Sequence, residues 1–129
     1  MLAPITSIWA ALLGLLSIAL AARVSLARGT ENVIFGDGGS AVLQQRIRVH
    51  ANLVEYAPIA LLLLLVLELN STSASVLNSL GASLLIARLL HAFGLSTSTG
   101  RTPGRFVGTL ATWIVILIEC VLALHARLG

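Results

Sequence analysis

The stretch RIRVHANLVEYAP, residues 46–58, runs without a break into IALLLLLVLEL, residues 59–69. An α-helix rises about 1.5 Å per residue, so about 20 mainly apolar residues cross the hydrocarbon core of a bilayer. Residues 50–69 meet that length, and their first half carries polar and ionisable side chains. A polar stripe that enters a membrane span is typical of a functional site or of a charge network between helices.

Three further apolar stretches are long enough to cross a membrane, and they cover residues 3–24, 76–95 and 106–126. The chain has 129 residues, of which 57% are hydrophobic and 10% charged. Its mean hydropathy of +0.99 is too high for an ordinary soluble domain. The sequence therefore predicts an all-α integral membrane four-helix bundle, in which residues 1–129 form one domain.

The arginines predict how the bundle lies in the membrane. Seven of the eight lie in or beside the first and third gaps between spans. The two groups are Arg23, Arg28, Arg46 and Arg48, and then Arg88, Arg101 and Arg105, while Arg127 alone lies at the other end. Short loops rich in arginine stay in the cytoplasm. Loops one and three are therefore predicted to be cytoplasmic, and both termini periplasmic.

Composition also argues against two classes of site. The arginines do not form the basic face with aromatic side chains that nucleic-acid binding needs, so no nucleic-acid partner is expected. The single cysteine, Cys120, can form neither a disulfide within the chain nor a multi-cysteine metal site. No metal site is predicted.

The polar stripe at the start of the second span has helical spacing. Each residue of a helix advances by about 100°, so Arg48, Asn52 and Glu55 fall in one narrow sector, with Tyr56 beside it. Ionisable groups in a span normally face the bundle interior, a partner charge or a water-filled cavity. The stripe is therefore predicted to point inward.

Other polar residues are predicted to meet this stripe. Arg88 and His91 share a face of the third span because they are three residues apart. Arg105 opens the fourth span at the same level, and Arg28 lies beyond the first. Guanidinium groups bind carboxylates through paired hydrogen bonds, while a carboxylate or an amide holds an ammonium or peptide group. Such a pocket fits a small zwitterion with excess negative charge, and glutathione has these groups.

A charge network without a ligand is the alternative. In such a network, Glu55 forms an ion pair with Arg88 or Arg48 that holds helices together. The other arginines then anchor the chain at the lipid headgroups. A small proton-coupled exporter ranks last, because such proteins carry a glutamate in the first span and residues 3–22 contain no charged side chain.

The sequence also predicts the surroundings of two more acidic residues and two glycines within the spans. Glu68, near the end of the second span, is expected to have a structural role, with a side chain that can reach water. Glu119, deep in the fourth span, is expected to lie at a subunit contact. Gly81 and Gly94 are small enough to let helices approach closely.

Four motifs occur in order along the chain. They are Gly36-Asp37-Gly38-Gly39; Arg48-x-His50-x-Asn52-x-x-Glu55-Tyr56-x-Pro58; Ala87-Arg88-Leu89-Leu90-His91; and Arg105-x-x-Gly108 leading into Ala111-Thr112-Trp113. In these motifs the sequence resembles the MAPEG superfamily, the membrane-associated proteins in eicosanoid and glutathione metabolism, and in particular its short bacterial members. The resemblance covers nearly the whole chain, and the second motif is the most specific.

The resemblance implies a homotrimer in the bacterial inner membrane, with glutathione as cosubstrate between neighbouring subunits near the cytoplasmic face. The glutathione contacts that it implies are Arg28, Arg48, Asn52, Glu55, Tyr56, His91 and Arg105. Arg23 is the alternative to Arg28 as the contact at the end of the first helix. Arg105 is the implied catalytic residue, because a nearby cation lowers the pKa of a thiol and the thiolate is the nucleophile. The thiolate of glutathione would attack a small lipophilic electrophile or peroxide that arrives through the membrane.

The chain differs from catalytically active members of that superfamily at several positions. Leu95 and Thr109 stand where tyrosine is common, Phe106 where one prostaglandin-forming member has serine, and Ala51 where the same member has arginine. A microsomal-type glutathione transferase or peroxidase is therefore one hypothesis. A noncatalytic trimeric membrane protein that keeps the fold and its buried charge network is the other.

Overall fold

A computed structural model of the chain describes residues 2–97 and 102–128. Four helices account for most of them: α1 (Pro4–Glu31), α2 (Ala41–Leu69), α3 (Ala74–Thr97) and α4 (Pro103–Leu128). All four are long and apolar enough to cross a membrane, and the described residues contain no strand. The predicted all-α four-helix fold is confirmed. Of the arginines used to predict orientation, Arg101 and the side chain of Arg127 lie outside the described part.

The first two helices continue well beyond their apolar runs. With 28 residues, α1 is about 42 Å long, whereas a bilayer's hydrocarbon core is about 30 Å thick. Both helices therefore extend past the lipid at the end that carries loop one. There α1 ends at Asn32 in a left-handed conformation, and Ser40 caps α2 by accepting a hydrogen bond from the Leu43 amide at 3.1 Å.

The middle of the bundle is formed by α2 and α3. Helix α1 packs on both of them from one side and α4 from the other, and in the described part α1 and α4 do not touch. Small residues set the closest approaches, since a Cβ on Gly108 would lie 2.6 Å from the Ala87 carbonyl oxygen. Gly81 lies against the indole of Trp9, and Gly94 against the backbone of Gly104 and Arg105. The close approach predicted at Gly81 and Gly94 is confirmed.

The end of α2 is fastened to the start of α1. The Glu68 carboxylate accepts hydrogen bonds from the backbone amides of Ile5 at 2.8 Å and Thr6 at 2.7 Å. The first amides of a helix have no partner within the helix, and they carry a partial positive charge. Glu68 therefore has the expected structural role, because its partly exposed carboxylate caps a neighbouring helix.

Glu68→Ala is expected to lower the free energy of unfolding by about 1 to 2 kcal/mol, because two helix-end amides lose their acceptor. Reversible unfolding in mixed detergent micelles measures the change. Glu31→Ala is the matched control, since this carboxylate is exposed at the last residue of α1 and a shift within about 0.5 kcal/mol is expected. Equal stability of the two variants would show that the cap is not formed.

The location of the Glu119 side chain differs from the expected subunit contact. Its side chain has 0% exposure within a single chain, so it does not lie on a surface that a second subunit can reach. Neither carboxyl oxygen has a hydrogen-bond partner among the described residues. It shares the inward face of α4 with three other buried residues, Gly108, Thr112 and Val115. The expected subunit contact at Glu119 is therefore wrong.

Candidate functional site

Arg88 is the centre of the polar cluster between α2, α3 and α4. Its side chain is only 2% exposed. Nη1 donates to Asn52 Oδ1 of α2 at 2.7 Å, and Nη2 donates to the Gly108 carbonyl of α4 at 3.0 Å. The guanidinium carbon lies 5.7 Å from the centre of the Tyr56 ring, within cation–π range. One buried cation thus links three helices, although its Nε has no hydrogen-bond partner among the described residues.

The backbone around Gly108 makes this link possible. A side chain there would run into His91, whose amide nitrogen would lie 2.6 Å from the added Cβ. The Gly108 carbonyl also accepts a hydrogen bond from the Thr112 hydroxyl at 2.8 Å. His91 is itself buried, one turn after Arg88. The third and fourth motifs of the sequence therefore meet at a single close contact between α3 and α4.

The polar stripe of α2 divides in two. Asn52 and Tyr56 turn inward to Arg88. Arg48 and Glu55 form an ion pair at 3.5 Å, with side chains 58% and 48% exposed on the single chain. The prediction of an inward-facing stripe thus holds for Asn52 but is wrong for Arg48 and Glu55. Of the two ion pairs weighed for Glu55, the one with Arg48 is formed.

Arg105 joins Arg48 in a pocket between α2 and α4. This pocket has a volume of about 180 Å³ and is lined by Ala41, Gln44, Gln45, Arg48, Leu95 and Arg105. Arg105 is exposed and forms no ion pair among the described residues. A larger open pocket, of about 760 Å³, begins on its other side and is lined by Thr102, Pro103, Arg105, Phe106 and Thr109. Two arginines that are 57 positions apart in the chain thus line one pocket.

The structure places Arg28 away from this pocket. Its Nη1 donates to the Ile34 carbonyl of its own loop at 3.4 Å. Arg23, the other candidate on α1, donates to the Ser96 hydroxyl of α3 at 3.1 Å. Within one chain, neither arginine therefore lines the pocket of Arg48 and Arg105.

Comparison with known proteins agrees with this arrangement of motifs. The model of the MAPEG family matches residues 6–125. The chain belongs to the MAPEG family. Among the relatives of this MAPEG protein are two proteins called "Inner membrane protein YecN", from Escherichia coli strain K12 and from Escherichia coli O6:H1 strain CFT073. Each is 36% identical over 114 residues, which cover 88% of this chain and 86% of the relative.

Family membership confirms the resemblance seen in the four motifs. The MAPEG family includes glutathione transferases. Four helices able to span a membrane, together with an inner-membrane relative, support an inner-membrane location for this MAPEG protein as well.

Arg88 is absent from the ligand contacts that the resemblance implies, although it organises the site. The signal in the sequence is an arginine and a histidine three residues apart inside an apolar span, with no acidic residue in that span to pair with them. Such an arginine needs acceptors from neighbouring helices. Helical spacing alone does not show that an amide and a backbone carbonyl supply them.

Proposed function

We propose that this MAPEG protein binds glutathione as a cosubstrate and uses it in transferase or peroxidase chemistry on lipophilic electrophiles. The observation that carries the proposal is that Arg48 of α2 and Arg105 of α4 line one pocket. Guanidinium groups bind carboxylates in a bidentate manner and stabilise nearby anions. Two of them in one pocket suit a ligand with two carboxylates and an ionisable thiol.

The surrounding residues support separate roles for the two arginines. Glu55, 3.5 Å from Arg48, supplies an acceptor for the ammonium group of glutathione, so that Arg48 and Glu55 together suit its amino-acid end. Arg105 has no carboxylate partner among the described residues and is therefore available to stabilise a thiolate. Phe106 is 69% exposed beside Arg105, which gives a lipophilic electrophile an apolar surface next to the thiol.

We further propose that the active form is a homotrimer with this pocket at a cytoplasmic subunit boundary. The Arg48–Glu55 pair is about half exposed on a single chain, and Glu55 lies inside the predicted span. Ionisable groups that face lipid are costly. A neighbouring subunit that covers the pair would remove this cost and close the open side of the pocket.

A noncatalytic role is the second candidate, and the buried network favours it. Asn52 and Tyr56, two of the implied glutathione contacts, are already engaged by Arg88 within one subunit. In this reading the polar residues hold α2, α3 and α4 together and no ligand binds. The two hypotheses differ in whether glutathione stabilises the folded protein.

Thermal unfolding of the detergent-purified protein with and without glutathione tests the proposal. A ligand that binds only the folded state stabilises it by about 2.7 kcal/mol at 100 times its Kd. Arg48→Ala is expected to remove most of this gain, because a charge-assisted hydrogen bond contributes about 1.5 to 3 kcal/mol. Arg46→Ala is the matched control, since it lies on the same helix but outside the pocket, and it should keep the gain.

Arg105→Ala separates binding from chemistry. The ultraviolet absorbance of the glutathione thiolate should appear on binding to the wild type at neutral pH and be lost in this variant, while the thermal shift is reduced less than in Arg48→Ala. If glutathione stabilises neither the wild type nor the Arg46→Ala protein, the glutathione proposal is overturned and the noncatalytic role is favoured.

A further inference from the structure

A second pocket with two arginines lies on the other side of α2. It has a volume of about 170 Å³, lies between α1, α2 and the end of α3, and is lined by Arg23, Val42, Gln45, Arg46, Val49 and Ser96. Neither Arg48 nor Arg105 lines it, and of the candidate glutathione contacts it contains only Arg23, the alternative to Arg28. Gln45 separates the two pockets, because its side chain lines both of them and its Nε2 donates to the Leu95 carbonyl.

Hydrogen bonds hold the two arginines of this pocket close together. Arg46 Nη1 donates to the Arg23 carbonyl at 3.2 Å, and Arg23 Nη1 donates to the Ser96 hydroxyl at 3.1 Å. In the described part of the chain, no acidic residue lines the pocket and neither guanidinium forms an ion pair. Two guanidinium groups that line one small pocket without a counterion repel each other, so an anion bound in the pocket would be stabilising.

The depth of the pocket indicates which anions reach it. Arg23 lies at the end of the first apolar run, and Ser96 directly follows the third. By the extent of the apolar runs, these positions lie at the predicted edge of the hydrocarbon, which is the level of the lipid headgroup phosphates. Basic pockets between transmembrane helices bind such headgroups, and arginine matches phosphate oxygens with two parallel hydrogen bonds.

We propose that the pocket between Arg23, Arg46 and Ser96 binds a phosphate group, either in the headgroup of an anionic phospholipid or as a free ion. The two guanidinium groups hold the phosphate oxygens, and the Ser96 hydroxyl is a further donor beside them. The acyl chains of a bound lipid would remain in the bilayer. The site is distinct from the proposed glutathione pocket of Arg48 and Arg105, although Gln45 lines both, and it requires no second subunit.

Titration of the full chain in a maltoside detergent tests the site, because this detergent carries no phosphate. One arm adds short-chain phosphatidylglycerol and the other inorganic phosphate, and thermal unfolding gives an apparent Kd for each. Arg23→Gln and Arg46→Gln are each expected to weaken phosphatidylglycerol binding roughly tenfold, which corresponds to the loss of one charge-assisted contact. If inorganic phosphate binds with the same sensitivity to both variants, a free ion also fills the site.

Arg28→Gln is the matched control, because it removes the same charge at the same end of the bundle from a side chain outside this pocket. Its phosphatidylglycerol affinity should stay within about twofold of wild type, as expected for a rim charge. The proposal is overturned if all four proteins bind phosphatidylglycerol equally, or if Arg28→Gln loses as much affinity as Arg46→Gln. Native mass spectrometry provides a second readout, since lipid retained by the wild type should be missing from Arg46→Gln.

Discussion

Arg88→Ala is expected to lower the free energy of unfolding by about 3 to 5 kcal/mol, the largest loss that we predict for a single substitution. Removing one partner of a buried charged network leaves the others without hydrogen bonds and also creates a cavity. Here Asn52 Oδ1 and the Gly108 carbonyl lose their bonds to the guanidinium, and the Tyr56 ring loses its cation. Helices α2, α3 and α4 lose the side chain that connects them.

Reversible unfolding of the purified protein in mixed micelles measures this loss. Arg88→Lys keeps the charge but cannot bond Asn52 and Gly108 with one planar fork, so an intermediate loss is expected. Arg28→Ala should change the free energy by less than about 0.5 kcal/mol, because in the described part of the chain this arginine bonds to its own loop. A loss below about 1 kcal/mol in Arg88→Ala would contradict the central role of this arginine.

Glu119→Met is expected to raise the free energy of unfolding by about 2 kcal/mol. A buried polar group without a hydrogen bond costs about 1 to 3 kcal/mol, and Glu119 is 0% exposed with both carboxyl oxygens lacking a partner among the described residues. Methionine has a similar volume and no polar oxygen, so it removes this cost while it fills the same space.

The same unfolding assay serves for this variant, with Glu31→Met as the control at an exposed carboxylate. Glu31→Met should be nearly neutral. If Glu119→Met is destabilised instead, the carboxyl group has a partner in the assembled protein, such as an ordered water or a bound ion, and the prediction fails. Activity with glutathione, once established, should be unchanged in Glu119→Met, since this residue lies 14 positions beyond Arg105 on α4.

The fold could be predicted almost completely from the sequence, because the bilayer restricts the choices. Every backbone amide in lipid must be hydrogen-bonded within the protein, and a continuous apolar run of about 20 residues meets this requirement as a helix. The helix ends were harder to predict. Apolar content marks where lipid ends, whereas α2 begins at Ala41, nine residues before the predicted span, because Ser40 supplies a cap.

The site was predicted less completely, and the polar stripe shows why. Helical spacing places Arg48, Asn52 and Glu55 in one sector of α2. Part of that sector is packed against other helices, and the rest is exposed. Only packing against α3 decides that Asn52 faces Arg88 while the other two remain exposed. In the same way, the level of α1 relative to α3 decides that Arg23 meets Ser96, and no pattern within α1 contains that information.

The bond between Glu68 and the start of α1 also bears on how the protein is made. The amides of Ile5 and Thr6 leave the ribosome before the carboxylate that caps them, which follows 62 residues after Thr6. During synthesis, α1 therefore enters the membrane before the amides at its start have an acceptor. The two hydrogen bonds form only when α2 has crossed the membrane. The hairpin of α1 and α2, and not α1 alone, is therefore the smallest piece of the nascent chain in which the first amides of α1 are hydrogen-bonded to Glu68.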